Sequence, residues 1–263
     1  MATAAPAYDE PHMSIGRVFQ RAFSTIGHNI VVVLGIAVVI GAVPSVLINY
    51  VMRSITGGNP ATVATNPSAF WGAAAVGWVV AVVIGAIVQG ALTRATVADN
   101  EGHRATFGEC IAAAMRVLLP LIAIGLIFGI AVGFGFVLLI IPGVILMVMW
   151  SVAGPAVVVE RDGVMRAFSR SSELTKGSRW KIFGLFLVLL VIYIVIFALL
   201  AVVGLRMVSA GATEPFGLAN MIGNAISAVV LNLLWGTIQP SLYLELRQAK
   251  EGGSLENLEQ VFA

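Results

Sequence analysis

The chain of 263 residues is poor in charge: 15 Lys and Arg against 13 Asp and Glu, 11% of the residues in all. Soluble domains carry about a quarter of their residues as charges. The shortfall excludes one or two soluble domains, which the length alone would allow, and no polar segment is long enough to form one. Cysteine is nearly absent: Cys110 is the single one, so no disulfide can form within the chain. It reads as a small apolar residue on a helix. The three histidines, His12, His28 and His103, are scattered over the tail and loops. HExxH, CxxC and GxSxG arrangements are missing, so nothing assembles a metal site or a nucleophile. No Asp, Glu, Lys, Arg or His falls deep in an apolar run, which argues against an ion- or proton-coupled carrier without excluding a passive pore. The net charge of +2 is too small to point to nucleic acid. The opening MATAAPAYDEPHMSIGR lacks the basic start of a secretory signal, and residues 1–13 read as a floppy tail.

What fills the sequence is hydrocarbon, at 59% of residues. A span needs about 20 apolar residues. Residues 30–51 give the first and 70–93 the second. From Val117 to Val159 there is no charge over 43 residues. One helix of that length would be about 65 Å long, twice the hydrocarbon thickness, so the run must fold back. Pro142-Gly143 is the expected turn between spans three and four. Residues 182–205 give the fifth span and about 218–243 the sixth. The pattern predicts an all-α polytopic membrane protein of six transmembrane helices in three hairpins.

The few charges are placed unevenly. With the N-terminus in the cytoplasm, that side collects 13 Lys and Arg, and the far side holds Arg53 and Arg206. This bias predicts both termini in the cytoplasm. Trp71, Trp78, Trp150, Trp180 and Trp235 fall mostly toward span ends, as interfacial aromatics do.

A short amphipathic stretch precedes each hairpin: SIGRVFQRAFSTIG (14–27), TFGECIAAAMRVLL (106–119) and GVMRAFSRSSELTKG (163–177). The second opens with Thr106 and Glu109 in capping-box spacing. The hairpins also end alike. QGALTRATVADNEG (89–102) and QPSLYLELRQAKEG (239–252) match in length, and GPAVVVERDG (154–163) is a shorter version. The expectation is three copies of one unit, a cytoplasmic interfacial helix followed by a transmembrane hairpin. The copies cover about 14–102, 103–162 and 163–252, in one membrane domain over 14–252, with 253–263 as a cytoplasmic tail. Anchoring a topology needs just such basic segments, and so does contact with anionic headgroups or a protein partner. The third segment concentrates this character in Arg161, Arg166, Arg170, Lys176, Arg179 and Lys181. Nearby Glu160 and Asp162 read as solvated charges rather than metal ligands.

Two features lie inside the spans. Gly125, Gly129 and Gly133 form a small-residue ladder that predicts close helix packing. Span six carries amides: Asn220 and Asn224 share a face with Ser227, and Asn232 shares another with Gln239. These hydrogen-bond between helices or line a polar path.

The stretches SIGRVFQRAFSTIGHN, PGVILMVMWSVAGPAVVVERDGVMRAFSRSSELTKGSRWKIFG and YLELRQAKEG resemble a family of bacterial integral membrane proteins. The family is similar to the membrane domain attached to some glycerophosphodiester phosphodiesterases, and to stand-alone inner-membrane proteins. The resemblance runs over about residues 14–252, and Pro142 to Gly184 is its specific part. It implies a multi-helix inner-membrane protein without the phosphodiesterase chemistry, which belongs to a separate soluble domain. The expected function is non-enzymatic contact with anionic lipids or partner proteins, a homo-oligomeric scaffold being one form of such contact, with no cofactor and no metal. The alternative is a channel or transporter for a small or lipid-like solute.

Overall fold

The computed structural model describes residues 13–56, 67–209 and 218–252. These form an all-α polytopic membrane protein with six helices long and apolar enough to cross a bilayer. Residues 1–12, 57–66, 210–217 and 253–263, and with them the expected tails, lie outside the described residues, apart from Met13, which is buried at 3% exposure rather than floppy.

Helix α1 (Ile15–His28) precedes span one, which is built of α2 (Ile30–Gly35), a π-helical turn over Ile36–Ala42, and α3 (Val43–Thr56). The widened turn comes directly before Pro44, whose ring would crowd the carbonyl four residues back and which has no N–H to offer. Ser45 Oγ donates to the carbonyls of Gly41 and Ala42 at 2.8 and 2.9 Å, so the disturbed backbone keeps its partners. Span two is the single helix α4 (Pro67–Asn100), which runs well past the expected end at 93. Helix α5 (Phe107–Arg116) follows, with the Thr106–Glu109 capping box formed in both directions.

Span three is α6 (Leu118–Leu138), and span four is α7 (Ile140–Met149) with α8 (Ala153–Glu160). The hairpin turns at Leu139, which is extended (φ −161°, ψ 143°), and not at Pro142-Gly143 as expected. Pro142 falls in the first turn of α7, where a helix has no use for its N–H. Gly143 serves a close approach: a Cβ added to Gly135 would lie 2.9 Å from its Cα. Span four is interrupted again over Trp150–Val152, where Val152 N donates to Ser171 Oγ at 3.3 Å and Ser171 Oγ donates to the Met149 carbonyl at 2.9 Å. Both bonds run to Ser171 of α9 (Val164–Thr175), the third short helix. Span five is α10 (Arg179–Ser209), and span six is α11 (Leu218–Arg247), which ends in a π-helical turn over Gln248–Gly252.

The largest fully buried side chains, among them Leu92, Leu174, Ile182, Leu242, Tyr243 and Leu246, sit where the short helices meet the span ends. The opposite half turns apolar side chains outward: Trp71 is 66% exposed, Val137 83% and Leu199 63%. Lipid tails satisfy such a surface as well as protein does, so that half needs no apolar core of its own. The glycine ladder of α6 meets no neighbouring helix among the described residues. A Cβ at Gly125, Gly129 or Gly133 would meet nothing within 4 Å.

Candidate functional site

The three short helices bury the same positions relative to their N-caps, Ser14, Thr106 and Gly163. Four residues on are Val18, Cys110 and Ala167; eight on, Ala22, Ala114 and Ser171; eleven on, Thr25, Val117 and Leu174, all buried. The spacing is that of one helical face.

Between these helices the span ends converge. Gln89 Nε2 of span two donates to Gln239 Oε1 of span six at 2.7 Å. Gly154 of span four completes the meeting point, because a Cβ there would come within 2.2 Å of Gln89 Nε2. Span two also crosses span six closely where a Cβ on Gly236 would meet Leu92 Cδ1 at 2.3 Å.

Carboxylates at the span ends then hold the first and third short helices. Glu245, 2% exposed, accepts from Ser14 N at 3.1 Å and Arg17 Nε at 2.7 Å, with Arg21 at 3.8 Å. Burial pulls the Arg21 guanidinium below its ordinary value, and the Glu245 carboxylate opposes that shift. Glu160 accepts from Arg170 Nε at 2.8 Å and Tyr243 OH at 2.7 Å. Arg170 also pairs with Glu251, which Arg247 Nε reaches at 2.7 Å. Burial works against the Arg170 charge, but the bonds to Glu160 and Glu251 outweigh it and raise its pKa. Asp99, at the end of span two, accepts from Thr25 Oγ1 and Asn29 Nδ2 at 3.0 and 3.2 Å, and His28 Nδ1 lies 3.1 Å away.

The structure separates the six basic residues singled out in the sequence. Arg170 is a half-buried internal clamp. Arg166 pairs with Asp162 at 3.1 Å, one helical turn away. Arg161, Lys176, Arg179 and Lys181 are exposed, and their side chains form no hydrogen bond or ion pair among the described residues. Glu160 and Asp162 answer to different arginines and do not act together. Arg179 and Trp180 help to line an apolar groove of about 600 Å³ whose other walls include Ile140, Ile141, Val144 and Phe183. Trp180 is 85% exposed.

The span-six amides also part company. Gln239 is buried in its bond to Gln89, a packing role. Asn232 leans on the π-helical turn of span one, where a Cβ on Gly41 would lie 2.7 Å from its Nδ2. Asn224 is exposed, and the side chain of Asn220 lies outside the described residues. Sequence reasoning missed Glu245, Glu160 and Asp99 as clamps. The signal available was an acid within each hairpin ending, but apart from Arg170, ten residues from Glu160, the partners come from distant sequence.

A family model described as a domain of unknown function, DUF7847, matches residues 104–239. A UPF0259 membrane protein of Pectobacterium carotovorum subsp. carotovorum is 33% identical over 79 residues, which cover 30% of this chain and 32% of that protein. The chain thus aligns with about a third of that relative's length. No solved structure matches. Neither description names a phosphodiesterase, so the resemblance to phosphodiesterase membrane domains gains no support. The matched family segment takes in 136 of the 263 residues, and the chain belongs to the DUF7847 family.

Proposed function

We propose that this protein is a non-enzymatic inner-membrane protein whose basic, cytoplasmic face contacts anionic lipids, and that it is built from three copies of one helix-and-hairpin unit. The groove beside Arg179 carries the lipid reading. An apolar trough whose lining includes an exposed guanidinium and an exposed indole suits an acyl chain with an anionic headgroup. Lys176, Arg179 and Lys181 are the contact residues, joined by Arg161 and Arg166. Arg170 supports them by holding α9 to the span ends. The shared buried positions of the three short helices and the meeting of Gln89, Gly154 and Gln239 support the threefold unit.

Each cation near an anionic surface contributes about 1 kcal/mol. The test is thermal unfolding in nanodiscs of zwitterionic lipid with increasing phosphatidylglycerol. The wild type gains stability with anionic lipid, and Lys176→Gln/Arg179→Gln/Lys181→Gln gains much less. An equal gain in both proteins would overturn the assignment.

A further inference from the structure

Seven residues beyond their N-caps, the three short helices carry Arg21, Ala113 and Arg170. Six residues beyond the meeting point, the span ends carry Ala95, Glu160 and Glu245. Arg21 faces Glu245 and Arg170 faces Glu160, but at the second short helix both partners are alanine. A cavity of about 430 Å³ opens there, between α5 and the ends of α4 and α8. Ala113 lines it together with Arg94, Arg116, Arg161, Glu101 and Glu109.

The two acids are already engaged. Glu109 accepts from Thr106 N at 2.8 Å, and the cap bonds hold its carboxyl below the usual range. Glu101 lies 3.4 Å from Arg94 and 3.8 Å from His103. The side chains of Arg116 and Arg161 form no hydrogen bond or ion pair among the described residues. Arg161 also holds a left-handed backbone (φ 57°), the single non-glycine residue to do so among those described. Glycine is the usual residue past a helix end, and a side chain there costs about 1 kcal/mol. A guanidinium at a strained backbone position is the kind of outlier that accompanies a functional site.

We propose that this cavity binds a phosphate-bearing anion, with Arg116 and Arg161 as its main ligands and Arg94 as the third. Guanidinium forks match phosphate oxygens in pairs, and three of them around one cavity suit a tetrahedral oxyanion better than a planar carboxylate with two oxygens. The cavity lies at the foot of spans two and four, with Val158 and Val159 in its wall. A lipid headgroup reaches that level, and so does a soluble phosphate ester. The site shares Arg161 with the lipid-contacting surface but does not depend on Lys176, Arg179 or Lys181.

The experiment follows the unfolding midpoint of the full chain under two titrations. One adds inorganic phosphate to protein in non-ionic detergent. The other adds phosphatidic acid to protein in phosphatidylcholine nanodiscs. A saturable rise in detergent assigns a soluble source, and a rise with phosphatidic acid alone assigns a lipid headgroup; either supports the site. Arg116→Gln and Arg161→Gly each weaken the response about tenfold, the loss of one charged hydrogen-bonding partner. Arg161→Gly relaxes the backbone, so its weakened binding is not a folding defect. Lys176→Gln/Arg179→Gln/Lys181→Gln keeps the saturable response, which separates this site from the surface patch. The site is refuted when neither probe moves the wild-type midpoint, or when Arg161→Gly responds as the wild type does.

Discussion

At the scale of single residues, the first and third short helices are held by carboxylates from the span ends. Glu245 is the most buried of them, and it ties the start of α1 to the last turns of span six. Glu245→Gln keeps the shape but removes the charge facing Arg17 and Arg21. Because Arg17 is itself more than half exposed, the loss is smaller than for a fully buried pair, about 2 kcal/mol. It is measured as a drop in the unfolding midpoint in detergent, and Arg17→Gln should cost less than Glu245→Gln. Cys110 gives a second prediction. Burial pushes its thiol up to about 11. At pH 8 the folded chain then holds about one thiolate in a thousand, and maleimide labels it slowly until the protein is denatured. The raised value also fixes the sign of a pH effect. Above the ordinary thiol value the unfolded chain loses this proton while the folded chain keeps it, so this group lowers stability as pH rises from about 9 toward 11.

At the scale of elements, the second hairpin differs from its neighbours. Above the level where Gln89, Gly154 and Gln239 meet, span two continues to Pro67 and span six to Leu218, each about 32 Å of helix. Span four continues only to Ile140, about 21 Å. Its tip, from Val137 to Ile141, is apolar and exposed, as befits residues that end within hydrocarbon. In a Cys110→Ala background, Leu139→Cys should resist a membrane-impermeant thiol reagent from either side, while Ser68→Cys reacts. Equal labelling would show that the tip reaches water. The spans were legible in the sequence because uncharged apolar runs of about 20 residues are rare outside a bilayer. The turn was misplaced because Pro142 breaks a helix from within but starts one from its first turn, and sequence alone does not say which. The break over Trp150–Val152 left no mark, since it depends on Ser171 and Thr175 arriving from α9. The Gly125 ladder finds no neighbour among the described residues, because spacing permits close packing without supplying one.

At the scale of the whole molecule, the protein divides into a packed basic end and a splayed apolar half. The end carries the buried side chains, the arginine–carboxylate clamps, the groove beside Arg179 and the cavity beneath α5. The apolar half supplies surface for lipid. The basic residues of the candidate site were visible in the sequence, but their division into clamps and exposed contacts was not, because it turns on how the chain folds back: Glu160 meets Arg170 across the turn between α8 and α9, and Glu251 arrives from 81 residues away. The most direct measurement is native mass spectrometry of the protein extracted with its own lipids. A lipid-contacting basic face predicts anionic phospholipids retained in defined number, and their loss in Lys176→Gln/Arg179→Gln/Lys181→Gln. A wild-type protein that emerges free of lipid, or with zwitterionic lipid alone, would contradict it.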